Sequence, residues 1–318
     1  DAESDDATPV SRRGNALPDE LVSLLGGARD VAHRGFSAHR MAQQSSPQPI
    51  SGNDSGDEGE KPYNVYYINM ANRPDRRKSI EDQMAMHGLS GTYFEARTGQ
   101  TTPEGVIATS WRCGLNSKYN PQQRINTMHS LSDGERGCAG SHAELWKKCV
   151  ADKKPMLVLE DDAFLDEKFL SNFQKAFKHM AEHDPSLLFL QSFVREWDTY
   201  HKNITSEFQV CRVKYSWETS AYIMWPETAA VLLTQFPMVE PVDCYMSRLA
   251  YKGDIRMYAC NPPIVRQVDR VGDSGIEHTG NSIFDMNEMV NCEINKQYVD
   301  WNKIACLEFP EDTVSRAY

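Results

Sequence analysis

Residues 156–162 read MLVLEDD, four apolar residues that end directly in three acidic ones. A short apolar run of this kind is typical of a strand that is covered on both faces of a parallel sheet. Segments with helical spacing stand on either side, at 139–151 and 169–183, and a second apolar run, LLFL, occupies 187–190. Because strand and helix alternate, the sequence predicts an α/β fold with a mostly parallel central sheet flanked by helices.

A similar unit begins the folded part of the chain. Residues 64–70 (NVYYINM) are rich in strand-forming residues and are followed by a turn. Pro74 suits the first turn of a helix, and Asn72 is a candidate cap for it. Ile80 and Met84 have helical spacing, and the pattern ends at Gly88. The sequence therefore predicts strand, turn and helix in that order.

Composition separates two regions of the chain. Residues 45–62 (SSPQPISGNDSGDEGEKP) contain almost nothing apolar, so they cannot bury enough surface to offset the entropy of ordering. We predict a flexible, low-complexity stalk over residues 1–62, with a small docking helix at 18–25 as the alternative. Residues 63–318 are long enough to form one domain with a large core.

Charge and apolar content exclude several classes of protein. The formal net charge of the 318 residues is -11, which disfavours general binding to nucleic acid. No apolar run of 18 or more residues occurs, so we predict no membrane span in this chain. The eight cysteines contain no C-x-x-C pair, which argues against a zinc ribbon, although their even number permits disulfides.

The three acidic residues after the 156–159 run, Glu160, Asp161 and Asp162, point to a ligand site. Acidic residues at the carboxyl end of a parallel strand face the crevice in which α/β sheets bind ligands. Carboxylates this close repel one another unless a cation lies among them. Mg²⁺ or Mn²⁺ would relieve that repulsion and could bridge to a diphosphate. The alternative is a solvated acidic loop before the helix that starts near Glu167.

Other motifs stand in order on both sides of this strand. They are YIN at 67–69, RPDR at 73–76, GERGCAGSH at 134–142, TSAYI at 219–223, PVD at 241–243 and NPPIVRQ at 261–267. With LVLEDD at 157–162, the ordered set resembles glycosyltransferase family 25, which holds the bacterial lipooligosaccharide galactosyltransferases and the procollagen galactosyltransferases. The resemblance covers about residues 64–276. Residues 98–133 carry no segment that we can place, and 274–276 read SGI where SDI is expected.

The resemblance implies a GT-A-type nucleotide-sugar-binding fold and an inverting transfer from a UDP-sugar donor, usually UDP-galactose, with Mn²⁺ or Mg²⁺. The acceptor would be a hydroxyl of a glycan, glycoprotein or glycolipid. Asp162 is the first choice for direct contact with the metal. Glu160 and Asp161 would supply a ribose contact and a further ligand, in an order left open. Asp243 is the candidate general base, with a helix N-cap as the equal alternative.

The donor's uracil and diphosphate should lie near the end of the first strand. Asn69 and Arg73 stand at that position, and a guanidinium is a planar donor fork that suits phosphate. Arg76 could bind the donor likewise or pair with Asp75. The alternative for Arg76 and its neighbour Arg77 is a solvated helix face.

Several other polar and aromatic residues are predicted to be structural. We interpret His142 as a hydrogen-bonded packing residue at the start of its helix, and Tyr222 and Trp225 as core aromatics. His278 is a less favoured third metal ligand.

Two other functions use the same features. One is a metal-dependent phosphohydrolase built on the same carboxylates, and the other is a non-catalytic nucleotide-sugar-binding member of the fold. Sequons at Asn53 and Asn203, the cysteines and the stalk favour the ER or Golgi lumen, where an anchor would precede the chain, over the cytoplasm.

Overall fold

A computed structural model describes residues 61–112 and 128–268. The strands are β1 Asn64–Asn69, β2 Thr92–Glu95, β3 Ser110–Arg112, β4 Met128–Ser130, β5 Met156–Glu160, β6 Ala163–Leu165, β7 Leu187–Asn203, β8 Gln209–Met224, β9 Met257–Asn261 and β10 Val265–Gln267. The α-helices are α1 Pro74–Met86, α2 Asp133–Asp152, α3 Phe169–His183, α4 Pro226–Thr234 and α5 Val242–Lys252. A 3-10 turn spans Gly99–Thr101.

Six strands form the central sheet, in the order β2-β1-β5-β8-β7-β9. β1 pairs in parallel with β2 and β5, and β7 pairs in parallel with β9. β8 runs antiparallel to β5, β7 and β9. The sheet is therefore mixed: β8 runs opposite to the other five strands, which share one direction, and the expectation of a mostly parallel sheet did not include this antiparallel strand. β7 and β8 are joined by a short hairpin, which forces antiparallel pairing, whereas an apolar run reports burial and not direction.

The core lies on both faces of this sheet. Side chains of β5 alternate between the two faces, with Val158 in one hydrophobic cluster and Leu157 and Leu159 in the other. The first cluster also contains Trp146 of α2, and the second contains Phe169 of α3. The prediction that residues 156–159 form a strand covered on both faces is confirmed.

The helix before β5 is longer than the sequence pattern predicted. α2 begins at Asp133, six residues before the predicted start at 139. Ser132 caps it in a capping box with Glu135, whose side chain accepts from the Ser132 N–H at 2.7 Å. Consequently Ser141 and His142 lie in the middle of the helix, which corrects the expectation that they begin it.

Two glycines explain why the first turns of α2 did not look helical. A Cβ atom on Gly137 would lie 2.5 Å from the Arg97 carbonyl oxygen, and one on Gly140 would lie 2.2 Å from Thr102 Oγ1. Both distances are too short for any side chain, so the helix can approach the 97–102 segment only with glycine there. Glycine disfavours a helix in isolation, and here the close packing outweighs that preference.

The other predicted helices match well. α1 has Pro74 in its first turn and buries Ile80 and Met84, and α3 has the predicted bounds. The N-cap of α1 is Arg73, without a side-chain capping bond, so Asn72 is wrong as the cap.

Some expectations fall outside the described residues. They include the stalk up to residue 60, the Asn53 sequon, residues 274–276 and His278. Within 61–112 and 128–268, no helix combines the length and apolar character needed to cross a membrane. The cysteines in these same ranges are free thiols, at positions 138, 149, 211, 244 and 260.

Candidate functional site

The acidic triplet lies beside the end of the first strand. β1 and β5 are parallel neighbours, with Ile68 in register with Glu160. Asn69, the last residue of β1, is buried, and its Nδ2 donates to Asp161 Oδ2 at 2.7 Å and to the Arg73 carbonyl at 2.9 Å. Parallel pairing thus brings together two sequence motifs that are about 90 residues apart.

The arginines at the start of α1 differ in their partners. Arg76 pairs with Asp161 Oδ1 at 3.1 Å and is largely buried, so the alternative of a solvated helix face is wrong for it. Arg73 instead makes a two-pronged contact with Asp75, at 3.0 and 2.8 Å. Arg77 pairs with Glu81 on the outer surface and covers the Tyr93 ring. Arg76 therefore brings a positive charge to the triplet.

Glu160 is held by donors from two other elements. His142 Nε2 lies 3.0 Å from Glu160 Oε1, and the Thr219 hydroxyl donates to the same oxygen at 2.6 Å. Burial alone would raise the pKa of Glu160, but the hydrogen bonds that it accepts, first from His142 and then from Thr219, together with the charge of Arg76, hold the pKa below its usual value. Glu160 is therefore an ionised carboxylate at neutral pH.

Asp162 lacks comparable support. Gln267 donates to its Oδ2 at 3.0 Å, while Oδ1 is buried and has no hydrogen-bond partner among the described residues. Burial, followed by the charge of Glu160, raises the pKa of Asp162 to about 7. An orphaned carboxylate oxygen beside two other carboxylates is an arrangement that a divalent cation with oxygen ligands would satisfy. The oxygen donor that Asp162 offers is of the kind that Mg²⁺ and Mn²⁺ prefer.

Asp243 lies in the first turn of α5. Its Oδ2 accepts from the Glu218 backbone N–H at 3.1 Å, and its Oδ1 accepts from the Cys244 N–H at 2.7 Å. The N-cap residue of α5 is Pro241, so the N-cap role considered for Asp243 is wrong. Burial raises the pKa of Asp243, although both backbone hydrogen bonds oppose that rise.

The backbone beside Asp243 is strained. Glu218 has a φ of 73°, although it lies within β8 and is not glycine. Gln191 of β7 donates to the Glu218 side chain, and the Glu218 N–H points to Asp243. Strain of this kind is retained where surrounding contacts hold it and is concentrated at functional sites. The sequence did not indicate Glu218, because an outlying φ comes from the bulged pairing of β7 with β8.

Adjacent residues of β8 contact both parts of the candidate site. The Thr219 hydroxyl donates to Glu160 Oε1, and the Glu218 N–H donates to Asp243 Oδ2. Burial raises the pKa of the Cys138 thiol, and the negative charges of Glu160 and Asp243 raise it further.

Among the described residues, Cys138, His142 and Glu160 form the group whose possible metal-ligating atoms all lie within 4.8 Å of one another, and the acidic triplet does not form such a group. Thiolate and imidazole suit zinc better than Mg²⁺ or Mn²⁺. His142 is fully buried and hydrogen-bonded through both ring nitrogens, as its interpretation as a packing residue predicted.

Two partners of the triplet were missed by the sequence analysis. Thr219 and Gln267 stand inside quoted motifs, but nothing in those motifs indicated which carboxylate each would contact. Tyr222 and Trp225 are buried, as predicted for core aromatics, although the Tyr222 hydroxyl also has polar partners.

Comparison with known proteins agrees with the motif order. The family model described as glycosyltransferase family 25 (LPS biosynthesis protein) matches residues 63–246, more than half of the chain. The chain is 24% identical over 235 residues to "Probable inactive glycosyltransferase 25 family member 3" of Bos taurus, which covers 66% of the chain and 37% of that relative. It is 33% identical over 119 residues to "Putative glycosyltransferase R655" of Acanthamoeba polyphaga mimivirus, covering 36% and 33%.

A third relative carries a more specific name. The chain is 24% identical over 200 residues to "Procollagen galactosyltransferase 2" of Homo sapiens, covering 61% of the chain and 31% of that protein. The chain thus spans about a third of the length of these curated relatives.

Proposed function

The chain belongs to glycosyltransferase family 25, and on that premise we propose that it is a metal-dependent, inverting hexosyltransferase. The donor is a UDP-sugar, with UDP-galactose as our choice because one relative is named a galactosyltransferase. The acceptor is a hydroxyl of a glycan, glycoprotein or glycolipid, and the catalytic domain has a GT-A-type fold. The observation that carries the proposal is the buried Oδ1 of Asp162, which has no hydrogen-bond partner among the described residues and whose side chain lines one pocket with Asp161 and Arg76.

The triplet would hold Mn²⁺ or Mg²⁺. Asp162 supplies the direct ligand, because its Oδ1 is not otherwise engaged among the described residues, and Glu160 and Asp161 supply a further ligand or a ribose contact. When bound, the cation would neutralise charge on the leaving diphosphate. Asp161 is already held by Asn69 and Arg76, so its orientation is set before any ligand arrives.

Positive charge at the site supports binding of an anionic donor. Arg76 lies against the triplet, and we assign it to the donor diphosphate together with Arg73, while Asn69 contacts the uracil or ribose. Arg76 is the better supported of the two arginines, because Arg73 is held by Asp75. A guanidinium can share its five N–H donors between a carboxylate and a phosphate.

Asp243 would act as the general base. Its carboxylate takes the proton of the acceptor hydroxyl while the acceptor oxygen forms a bond to the anomeric carbon of the sugar. The bond from that carbon to UDP breaks on the opposite face, and UDP leaves with the electron pair. Two backbone N–H groups fix the orientation of Asp243, and its raised pKa makes it a stronger base than an exposed aspartate.

The ER or Golgi lumen remains our proposed location, with residues 1–62 as a stalk. Asn203 of the sequon is exposed where β7 ends, where a glycan could be attached.

A donor screen tests this function. Calorimetry with UDP-galactose, UDP-glucose and UDP-xylose should show binding that requires Mn²⁺, and Asp162→Ala should abolish the metal dependence while the protein stays folded. Release of UDP should require both Mn²⁺ and an acceptor. Hydrolysis of simple phosphate esters would support a phosphohydrolase instead. Donor binding without release of UDP would favour the non-catalytic nucleotide-sugar-binding role, and one relative is named probably inactive. Absence of any nucleotide binding would contradict the proposal.

A further inference from the structure

A chain of buried hydrogen bonds runs from the core to the acidic triplet. The Trp146 indole Nε1 donates to the Tyr222 hydroxyl at 3.0 Å, and that hydroxyl lies 2.8 Å from His142 Nδ1. The other ring nitrogen of His142, Nε2, lies 3.0 Å from Glu160 Oε1. Trp146, Tyr222 and His142 are each at most 1% exposed, and each hydrogen bond in the series joins the two groups directly.

The chemistry of the donors decides which group donates and which accepts in each of these hydrogen bonds. An indole N–H can only donate, so the Tyr222 oxygen accepts from Trp146. If His142 Nδ1 also donated to that oxygen, the Tyr222 hydroxyl proton would have no acceptor among the described residues. All donors are satisfied only when Tyr222 donates to Nδ1 and His142 carries its proton on Nε2. His142 then donates to Glu160.

We propose that Trp146, Tyr222 and His142 act as positioning residues that fix Glu160 for the metal and donor site. The inference rests on the proposed function, because that function supplies the cation and the donor that Glu160 would contact. His142 and Thr219 both donate to Oε1, which holds the carboxylate from one side and leaves Oε2 for the cation or a ribose hydroxyl. Ligands of a metal are commonly oriented by such partners behind them.

The same geometry disfavours a zinc site at Cys138, His142 and Glu160. Zinc would bind His142 through a nitrogen that carries no proton. The nitrogen that faces Glu160 is Nε2, and the series of hydrogen bonds from Trp146 requires a proton on it. Moving the proton to Nδ1 would leave the Tyr222 hydroxyl without an acceptor in the described part of the chain. The two assignments therefore predict opposite tautomers of one histidine.

Nuclear magnetic resonance distinguishes these tautomers without any measurement of activity. We would record long-range ¹H–¹⁵N spectra of the full chain labelled with ¹⁵N-histidine and identify the His142 signals from their loss in His142→Gln. The positioning role predicts that Nε2 carries a proton while Nδ1 accepts from Tyr222, and that this arrangement is unchanged by Zn²⁺ and in Cys138→Ser. Tyr222→Phe removes the hydroxyl that donates to His142 Nδ1, so the His142 ring should then show a mixture of both tautomers. A proton on Nδ1, or a shift of Nε2 on addition of Zn²⁺, would overturn the proposal.

Binding of Mn²⁺ to the protein alone gives the second readout. His142→Leu removes the donor to Glu160, and we expect the Kd for Mn²⁺ to rise about 10- to 100-fold. His142→Gln keeps an N–H donor at similar reach and should recover most of that loss, which a purely structural role for the ring would not produce. Equal weakening in both variants, at equal melting temperature, would contradict the positioning role.

The two proposals can fail separately. If wild-type protein binds no Mn²⁺ and no nucleotide sugar, the proposed function fails. The tautomer and its loss in Tyr222→Phe still decide whether the hydrogen-bond chain fixes Glu160.

Discussion

The two sides of the candidate site hold their carboxylates in different ways. At the end of β5, side chains from β1, α1, α2, β8 and β10 contact Glu160, Asp161 and Asp162. At the start of α5, Asp243 is held by two backbone N–H groups, and it forms no ion pair with any residue that the structure describes. Side chains from five elements therefore hold the triplet, whereas backbone N–H groups hold Asp243.

This difference corresponds to two kinds of chemistry. Charged and polar side chains around the triplet keep Glu160 ionised and orient Asp161, which suits the binding of a cation and an anionic donor. Without a cationic partner, buried Asp243 has a raised pKa, which suits the transfer of a proton. Variants on the two sides should therefore affect different steps.

The largest effect is expected for Asp243→Asn. Without the base, kcat should fall about 10²- to 10⁴-fold, while Mn²⁺-dependent donor affinity stays unchanged. Because burial raises the pKa of Asp243, kcat in the wild type should begin to fall with decreasing pH above the ordinary aspartate range. Steady-state rates over pH, with calorimetry of the donor, test this. If donor affinity fell as much as kcat, Asp243 would also act in donor binding, and the assignment of the two sides to different steps would be wrong.

Anchoring of the α5 side is tested next by Arg248→Met. Arg248 Nε contacts Glu240 Oε1 at 2.6 Å, and Glu240 is fully buried just before α5. Removing the arginine leaves an uncompensated buried carboxylate, so the free energy of unfolding should fall by about 3 kcal/mol in a denaturant titration.

The double variant Arg248→Met with Glu240→Gln is the matched control. It removes both charges, and we expect it to recover much of the loss. If the single and double variants were equally destabilised, packing of Arg248 on the Tyr245 ring, and not the ion pair, would hold the start of α5.

On the triplet side, Asp162→Asn should abolish the benefit that Mn²⁺ gives to donor binding. We expect the donor Kd in Mn²⁺ to rise by more than roughly 10-fold. Replacing even a residue that only orients a metal ligand typically lowers metal affinity about 10- to 100-fold. Melting temperature in chelator should not fall, because the change removes an uncompensated buried charge. Calorimetry with and without Mn²⁺ measures the effect, and donor affinity unchanged in Mn²⁺ would remove Asp162 from the metal site.

The smallest effect is expected at α1. Arg76→Gln removes the largely buried partner of Asp161 and should weaken donor binding about tenfold or less. Arg77→Gln is the matched control, because its pair with Glu81 is about 43% and 42% exposed and should contribute little. Donor titrations of both variants would refute the assignment if they gave the same affinity.

Local patterns predicted the elements of this fold better than their arrangement. The apolar run at 156–159 and the spacing of 169–183 are local signals, and both elements have the expected extent. The start of α2 at Asp133 was missed, because Gly137 and Gly140 are required by packing against Arg97 and Thr102, which no local pattern encodes. The antiparallel direction of β8 was missed for a similar reason, since it depends on the pairing of β8 with β7.

By itself, the sequence determined the order of the elements, the family and the acidic triplet, because these follow from local composition and from motifs in a fixed order. Only the tertiary structure decided which partners each carboxylate has. Arg76 rather than Arg73 contacts Asp161, His142 supports Glu160 from the core, and Asp162 keeps one oxygen without a partner in the described ranges. Burial and hydrogen bonding across distant segments set the charge state of each group, and neither is readable from spacing along the chain.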